Sequence, residues 1–286
     1  MIRTDSLISG ENSEKQLTLA IDLQQAFPTP KLSVGPAYYS RKIMTCNICI
    51  HNCGANVASM LLWPETVAGR GSDEIASCLL KYLNATEFNV DAKKMIIYSD
   101  NCRGQNKNYT IMSLWLYLIC VGKFDEITHI FPIAGHTMLP CDRDFGQIEQ
   151  VLRKHEHIYT PEEYGNLIAT ARRANPFHVV HMENKDFVNF NALTACTTNK
   201  KITVTREKVE FRKATQFHFH KDSPNVMFIK YTHDENESWQ QVNLHKCGRQ
   251  TSMAKVKFRL KYKGPRPIAK NKHDDIKQLL HYVPPI

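Results

Sequence analysis

The chain has 286 residues, 42% of them hydrophobic and 23% charged, with a net charge of +9. That hydrophobic share supplies a core for one large domain, or a core with an annex, and excludes global disorder. The longest apolar run, around Met112 to Val121, is too short to span a bilayer, and Met1 to Glu14 lacks the apolar stretch of a secretory signal.

Nine cysteines, an odd count in no repeating frame, suit a reducing compartment, cytosol or nucleus, better than a disulfide-stapled secreted protein. The charge is unevenly placed. Between residues 246 and 277 stand eleven Lys and Arg, opposed only by Asp274 and Asp275. The rest of the chain is therefore close to neutral. Such a stretch suits a polyanion, nucleic acid first, or serves as a solvated surface.

In chain order, a polar segment over 1–15 precedes Gln16 to Gln24 (QLTLAIDLQ), a buried strand ending near Asp22. After a Pro-rich connection, Tyr38 to Ile50 reads as a long strand. Gly54 fits the turn before a third strand, Val57 to Trp63. Ser72 to Leu83 has helical spacing in Ile75, Ala76, Leu79, Leu80 and Leu83. Lys94 to Tyr98 is a short buried strand ending at Ser99 and Asp100. An apolar helix over Asn108 to Val121, a strand over Ile127 to Pro132 and a helix over Asp142 to Arg153 follow. This β-β-β-α-β-α-β-α order predicts an α/β fold, a mixed sheet with helices on both faces, which is the order of the RNase H-like fold. A helix over Pro161 to Arg173 closes the expected core, residues 16–173. A β-rich module is expected over 174–263, with strands at Phe177 to Met182, Phe187 to Thr194, Val204 to Phe219, Val226 to Tyr231 and Trp239 to Leu244. A tail over 264–286 completes the chain.

Three acids sit where this topology needs them. Asp22 lies on the first strand, Asp100 at the end of the fourth, and Asp142 at the start of the helix after the fifth. Neighbouring first and fourth strands bring two carboxylates together, and the helix adds a third from the side. Hard cations such as Mg²⁺ or Mn²⁺ take oxygen ligands, and two of them roughly 4 Å apart clamp the attacking and leaving oxygens of an in-line phosphoryl displacement. Each acid also has an ordinary reading. A mid-strand Asp is disfavoured by propensity, but Asp100 suits a strand-ending turn and Asp142 a helix N-cap. On spacing alone Asp144 and Glu149 rival Asp142.

The strings YSDNCRGQNKNYTIM (Tyr98 to Met112) and GHTMLPCDRDFGQIE (Gly135 to Glu149) resemble a large animal protein family of transposon ancestry, mostly held as a domain of unknown function. Its members are similar to DDE/D transposases with an RNase H-like core. The likeness extends to Leu19–Lys42, Trp63–Leu83 and Ile268–Pro285, nearly the whole chain. It implies Asp22, Asp100 and Asp142 as the three acids, and so favours Asp142 over Asp144. It puts His136 in the same segment, near a metal-bound water or a phosphate, or fixing the turn before the helix. It implies two divalent ions, Mg or Mn, and DNA as partner; whether the chain acts alone or as a homo-oligomer stays open in the sequence. A transposase usually carries a DNA-binding module ahead of its core, whereas only about a dozen polar residues precede the first strand here.

Other signals rank lower. Cys46, Cys49 and Cys53 with His51 resemble a zinc cluster, but strand alternation sends Cys46 and Cys49 to opposite faces, so buried thiols are expected. His218 and His220 share one strand face. Gly69-Arg70-Gly71 is too short for a phosphate loop, though Arg70 beside glycines suits a phosphate. In Lys255 to Lys263 cations alternate with apolar residues. As a strand this puts Lys255, Lys257, Arg259, Lys261 and Lys263 on one face, a stripe for successive phosphates or an aggregation-blocking edge. The expected function is a metal-dependent DNA nuclease or strand-transferase core. The alternative is a catalytically silent, domesticated relative that binds DNA or other partners.

Overall fold

The structure, a computed structural model, describes residues 2–11, 16–85, 92–132, 139–197, 201–244 and 252–284. The first helix, α1 (Ile2–Glu11), is followed by β1 (Gln16–Leu23), β2 (Phe27–Thr29), the short α2 (Gly35–Tyr39), β3 (Ile43–Asn52) and β4 (Val57–Pro64). Then come α3 (Ser72–Asn84), β5 (Lys94–Ser99), α4 (Tyr109–Cys120), β6 (Glu126–Ile130), α5 (Pro140–Leu152) and α6 (Pro161–Thr170). The remainder carries β7 (His178–His181), β8 (Val188–Asn189), α7 (Asn191–Thr194), β9 (Gln216–His220), β10 (Val226–Lys230), β11 (Gln240–Asn243), β12 (Arg259–Leu260) and α8 (Lys270–Leu279).

The fold is mixed α/β. Its main sheet has ten strands in the order β11-β10-β9-β6-β5-β1-β3-β4-β7, with β2 paired to β3. β3 runs antiparallel to β1 and β4, whereas β5 runs parallel to β1 and to β6. Period-two alternation divides the core between the sheet's two faces. Leu17, Leu19, Ile21 and Leu23 of β1 join the apolar faces of α3 and α4. Ala20, Cys49, Ile96 and Tyr98 face α5 and α6. Cys46 and Cys49 are thus buried on opposite faces, as the alternation requires, and are free thiols.

Several expectations are corrected. The strand drawn from Tyr38 begins only at Ile43, because Pro36 starts the helical turn of α2 and leaves Tyr38 and Tyr39 84% and 86% exposed. The 1–15 segment holds α1, bound to β1 by Ser9 Oγ donating to the Gln16 carbonyl at 2.9 Å and Thr18 Oγ1 to the Asp5 carbonyl at 3.1 Å. Most strands after residue 173 join the main sheet, and only β8 and β12 pair apart from it, as an antiparallel two-stranded sheet. β7 adds in parallel beside β4, and β9–β11 extend the other side from β6. Of Phe187–Thr194 only β8 is extended. The Asn191 amide donates to Asn189 Oδ1 at 2.7 Å and the chain turns into α7. Of Val204–Phe219 only the last residues form a strand, since Thr203 and Glu207 close a turn through Arg206 at φ 66° that leaves Lys208 in a single bridge to Ile202. The 264–286 segment carries α8, which buries Leu279 against Leu32 and Ala37 and pairs Asp275 with Arg41 at 2.9 Å.

Candidate carboxylate site

Asp22 is the penultimate residue of β1 and shares the face of Ala20, toward α5. β5 lies parallel beside it, with Ala20 opposite Tyr98 and Ile21 opposite Ser99. One step further along the same register stands Asp100, just past the end of β5. Parallel pairing of two strands that end together is what sets these two carboxylates side by side. α5 enters over this end of the sheet. Its first turn is pressed onto β1 by Cys141, which is fully buried and whose Sγ donates to the Ala20 carbonyl at 3.3 Å. Only small side chains at both positions allow that approach. Asp142, the next residue, is thereby delivered to the edge of the same site.

The electrostatics agree with this placement. The Asp22 carboxyl is pushed up to about 6, first by burial and next by the charge of Asp100, with Asp142 adding to it. The Leu23 amide, donating to Asp22 Oδ1 at 2.8 Å, and the Arg70 charge pull the other way.

Each carboxylate is also engaged locally. Asp142 Oδ2 accepts from the Leu139 amide at 2.7 Å and caps α5. Asp100 Oδ1 accepts from Asn106 Nδ2 at 2.5 Å and from the Cys102 amide at 3.3 Å. Among the described residues no three His, Cys, Asp or Glu side chains are grouped to hold a metal ion as they stand. The donor set itself, carboxylates crowded enough to perturb one another, is of the kind a hard divalent cation takes.

The rival acids point elsewhere. Asp144 is fully buried and its Oδ2 accepts from His51 Nδ1 at 2.6 Å, with Arg172 at 3.6 Å and Arg143 at 3.8 Å from Oδ1. It anchors α5 to β3, with its carboxylate engaged by His51. Glu149 lies on the solvent side of α5, 3.5 Å from Arg153. His136 lies outside the described residues. His218 donates to or accepts from Thr128 Oγ1 at 2.9 Å and stacks on His220 away from these acids.

Sequence reasoning missed the groups that hold the end of β5. His129, fully buried, accepts from Trp115 Nε1 at 3.2 Å through Nδ1, so its Nε2 carries the hydrogen and donates to Ser99 Oγ at 2.9 Å. Burial, with Lys107 second, lowers its pKa to about 3. Lys107, 2% exposed, donates to the Arg212 carbonyl at 2.9 Å and to that of Ala214, and lies over Phe131. Burial lowers it to about 8. A lone His in an apolar strand and a Lys in a polar string carry no signal distinguishing these roles from surface ones.

The basic stripe is also corrected. Residues 255–263 do not form one strand. Met253–Lys255 makes a helical turn and only Arg259–Leu260 pairs, with β8. Lys255, Lys257, Arg259 and Lys263 are exposed. Lys261 is bound inward, at 2.8 Å from Glu74 and 3.2 Å from Asp73, while Leu260 is 57% exposed.

No helix among the described residues is long and apolar enough to cross a membrane. No curated protein matches the chain. The family model described as Domain of unknown function (DUF7869) matches residues 46–237, a span that contains Arg70, Asp100 and Asp142, and the chain belongs to that family.

Proposed function

We propose that the chain is a metal-dependent nuclease or strand-transferase core of transposase type, with Asp22, Asp100 and Asp142 holding two Mg²⁺ or Mn²⁺ ions. The observation that carries this reading is the meeting of three distant acids at one sheet end, where Asp22 feels the charge of both others. The strand order supports it. β4-β3-β1-β5-β6, with β3 antiparallel to its neighbours and β5 and β6 parallel to β1, is the order of an RNase H-like core. The residues' own part is to gather negative charge on rigid elements beside an open sheet end, so that a cation relieves their repulsion. The bound ions would supply Lewis-acid activation of water, or of a 3′-hydroxyl, for attack on the phosphodiester. The exposed cations at 255, 257, 259 and 263 suit the DNA backbone. The reading places the protein with DNA, in nucleus or cytoplasm, acting in more than one copy.

A second reading is a silent relative that binds DNA without cutting it. The use of Asp142 as a helix cap and the lack of a preformed three-ligand group among the described residues favour it. Incubation of labelled duplex DNA with Mg²⁺ or Mn²⁺ separates the two. Cleavage by the wild type that is lost in Asp100→Asn supports the nuclease; binding without cleavage under every metal condition supports the silent form.

A further inference from the structure

Arg70 stands between two glycines on the loop that joins β4 to α3, at the sheet end where Asp22 and Asp100 lie. The Gly71 carbonyl accepts from the Ile75 amide at 3.1 Å in the first turn of α3, and the other fixed points of this loop are hydrogen bonds to side chains. Trp63 Nε1 donates to the Gly69 carbonyl at 2.8 Å. The Gly69 amide donates to the Tyr262 hydroxyl at 2.9 Å, and that hydroxyl donates in turn to Glu74 Oε1. The Gly71 amide donates to Glu74 Oε2 at 2.9 Å. Glu74 is 1% exposed, and Lys261 balances it at 2.8 Å.

The fit is close. A Cβ at Gly69 would come within 3.1 Å of the Tyr262 hydroxyl, and one at Gly71 within 3.1 Å of Glu74 Oε2. Two residues nearly two hundred positions downstream thus lock a three-residue loop. Arg70 itself is exposed and has no hydrogen bond or ion pair with any described residue. The loop's one long side chain is left free while the backbone of the glycine on either side of it is tied. An exposed arginine normally keeps wide rotamer freedom, and fixing its backbone lowers the cost of ordering it on a ligand. The planar guanidinium fork matches phosphate oxygens in a bidentate way that an ammonium does not.

We infer that Lys261 and Tyr262 form a clamp that acts through Glu74 on the Gly69–Gly71 loop and sets Arg70 to grip a backbone phosphate of nucleic acid at the carboxylate end of the sheet. This rests on the nucleic-acid reading above. Arg70 is the contact residue; Glu74, Lys261 and Tyr262 are positioning residues. It explains why Lys261, though part of the basic alternation, is withheld from the surface, and ties the C-terminal segment to the site.

The test is a binding and cleavage series on a duplex oligonucleotide, with Ca²⁺ for binding and Mn²⁺ for cleavage. The variants are Arg70→Ala, Arg70→Lys, Tyr262→Phe and the Arg70→Ala/Tyr262→Phe double. Arg70→Ala should weaken duplex binding on the order of ten-fold, and flatten its salt dependence by about 0.9 log units. Arg70→Lys should keep the salt slope yet recover only part of the affinity. Tyr262→Phe should lose about three-fold, and the double variant no more than Arg70→Ala alone, because Tyr262 acts only through Arg70. Additive losses in the double variant, wild-type binding by Arg70→Ala, or no duplex binding by the wild type would each overturn the inference. Arg70 is exposed and unpaired, so its variants fold whatever Tyr262→Phe does. If the wild type cleaves nothing but its binding depends on Arg70 in this way, the nuclease reading fails and the clamp stands. If the wild type cleaves and Arg70→Ala leaves kcat and KM unchanged, the clamp fails and the nuclease stands.

Discussion

His51 of β3 and Asp144 of α5 meet at 2.6 Å with side chains only 2% and 0% exposed. The pair fastens the helix that carries Asp142 onto the sheet that carries Asp22. Asp144→Ala leaves His51 and the half-buried Arg172 without their carboxylate, and stability should fall by about 3–5 kcal/mol. Asp142→Ala, at an exposed cap, should cost only about 1 kcal/mol. Urea unfolding of both variants checks the contrast. Equal losses would mean that Asp144 is not the anchor of α5.

Asp22 should weaken the fold without metal. Its carboxyl is raised from 3.8 in the free group to about 6. The folded state therefore holds this proton more tightly than the unfolded chain does. Stability falls as pH rises from about 4 to 6, and the loss persists above that, on the order of 2 kcal/mol. Asp22→Asn should be more stable than the wild type at pH 7 and no more stable at pH 3. Thermal melts across that range decide it, and a destabilised variant at pH 7 would contradict the origin given for the shift.

His129 works with the opposite sign. Its folded pKa of about 3 lies below the free value of 6.5, so the unfolded chain binds the proton first. Stability is full above about 6.5 and is lost as pH falls toward 3. His129→Gln should lower stability at pH 7, through the Trp115 and Ser99 hydrogen bonds, while removing up to one proton from the acid slope. An unchanged slope in urea midpoints between pH 4 and 7 would contradict the neutral buried ring.

The basic segment should divide into two behaviours. Gln at Lys255, Lys257 and Arg259 should leave stability unchanged and flatten the salt dependence of duplex binding by about 0.9 log units for each phosphate no longer neutralised. Lys261→Gln should cost about 1–3 kcal/mol of stability by stranding Glu74. A salt slope untouched by the triple variant would leave these three cations as solubility groups.

The strands of the core were legible because their burial is two-sided. Leu19, Ala20 and Ile21 of QLTLAIDLQ and Met95 to Tyr98 of KMIIY are consecutive apolar residues, as a strand buried on both faces requires. The helices of 72–84, 109–120 and 140–152 were legible from their 3.6-residue spacing. Beyond residue 186 the strands at 226–230 and 240–243 were legible, but over 187–194 and 204–215 the sequence misled, because Asn and Thr side chains close local turns where β-branched residues suggested strands. The alternation in Lys255–Lys263 predicted a strand, and tertiary contacts at Lys261 and Tyr262 overrode it. At the site, topology and spacing singled out Asp22 and Asp100 together. Asp142 and Asp144 could not be separated by spacing, since helix geometry and one histidine on β3 decide which of them turns inward. Glu74 and its two C-terminal partners were invisible, being joined only by the folded chain.

The most direct measurement is calorimetric titration of Mn²⁺ into the wild type and into Asp22→Asn, Asp100→Asn and Asp142→Asn, at pH 7.5, above the raised titration of Asp22. If the three acids form one cation site, the wild type binds Mn²⁺ and each single variant loses at least about ten-fold in affinity, a deficit of about 1.4 kcal/mol. Binding that is absent from the wild type, or that survives all three substitutions unchanged, would contradict a shared metal site at the end of β1 and β5.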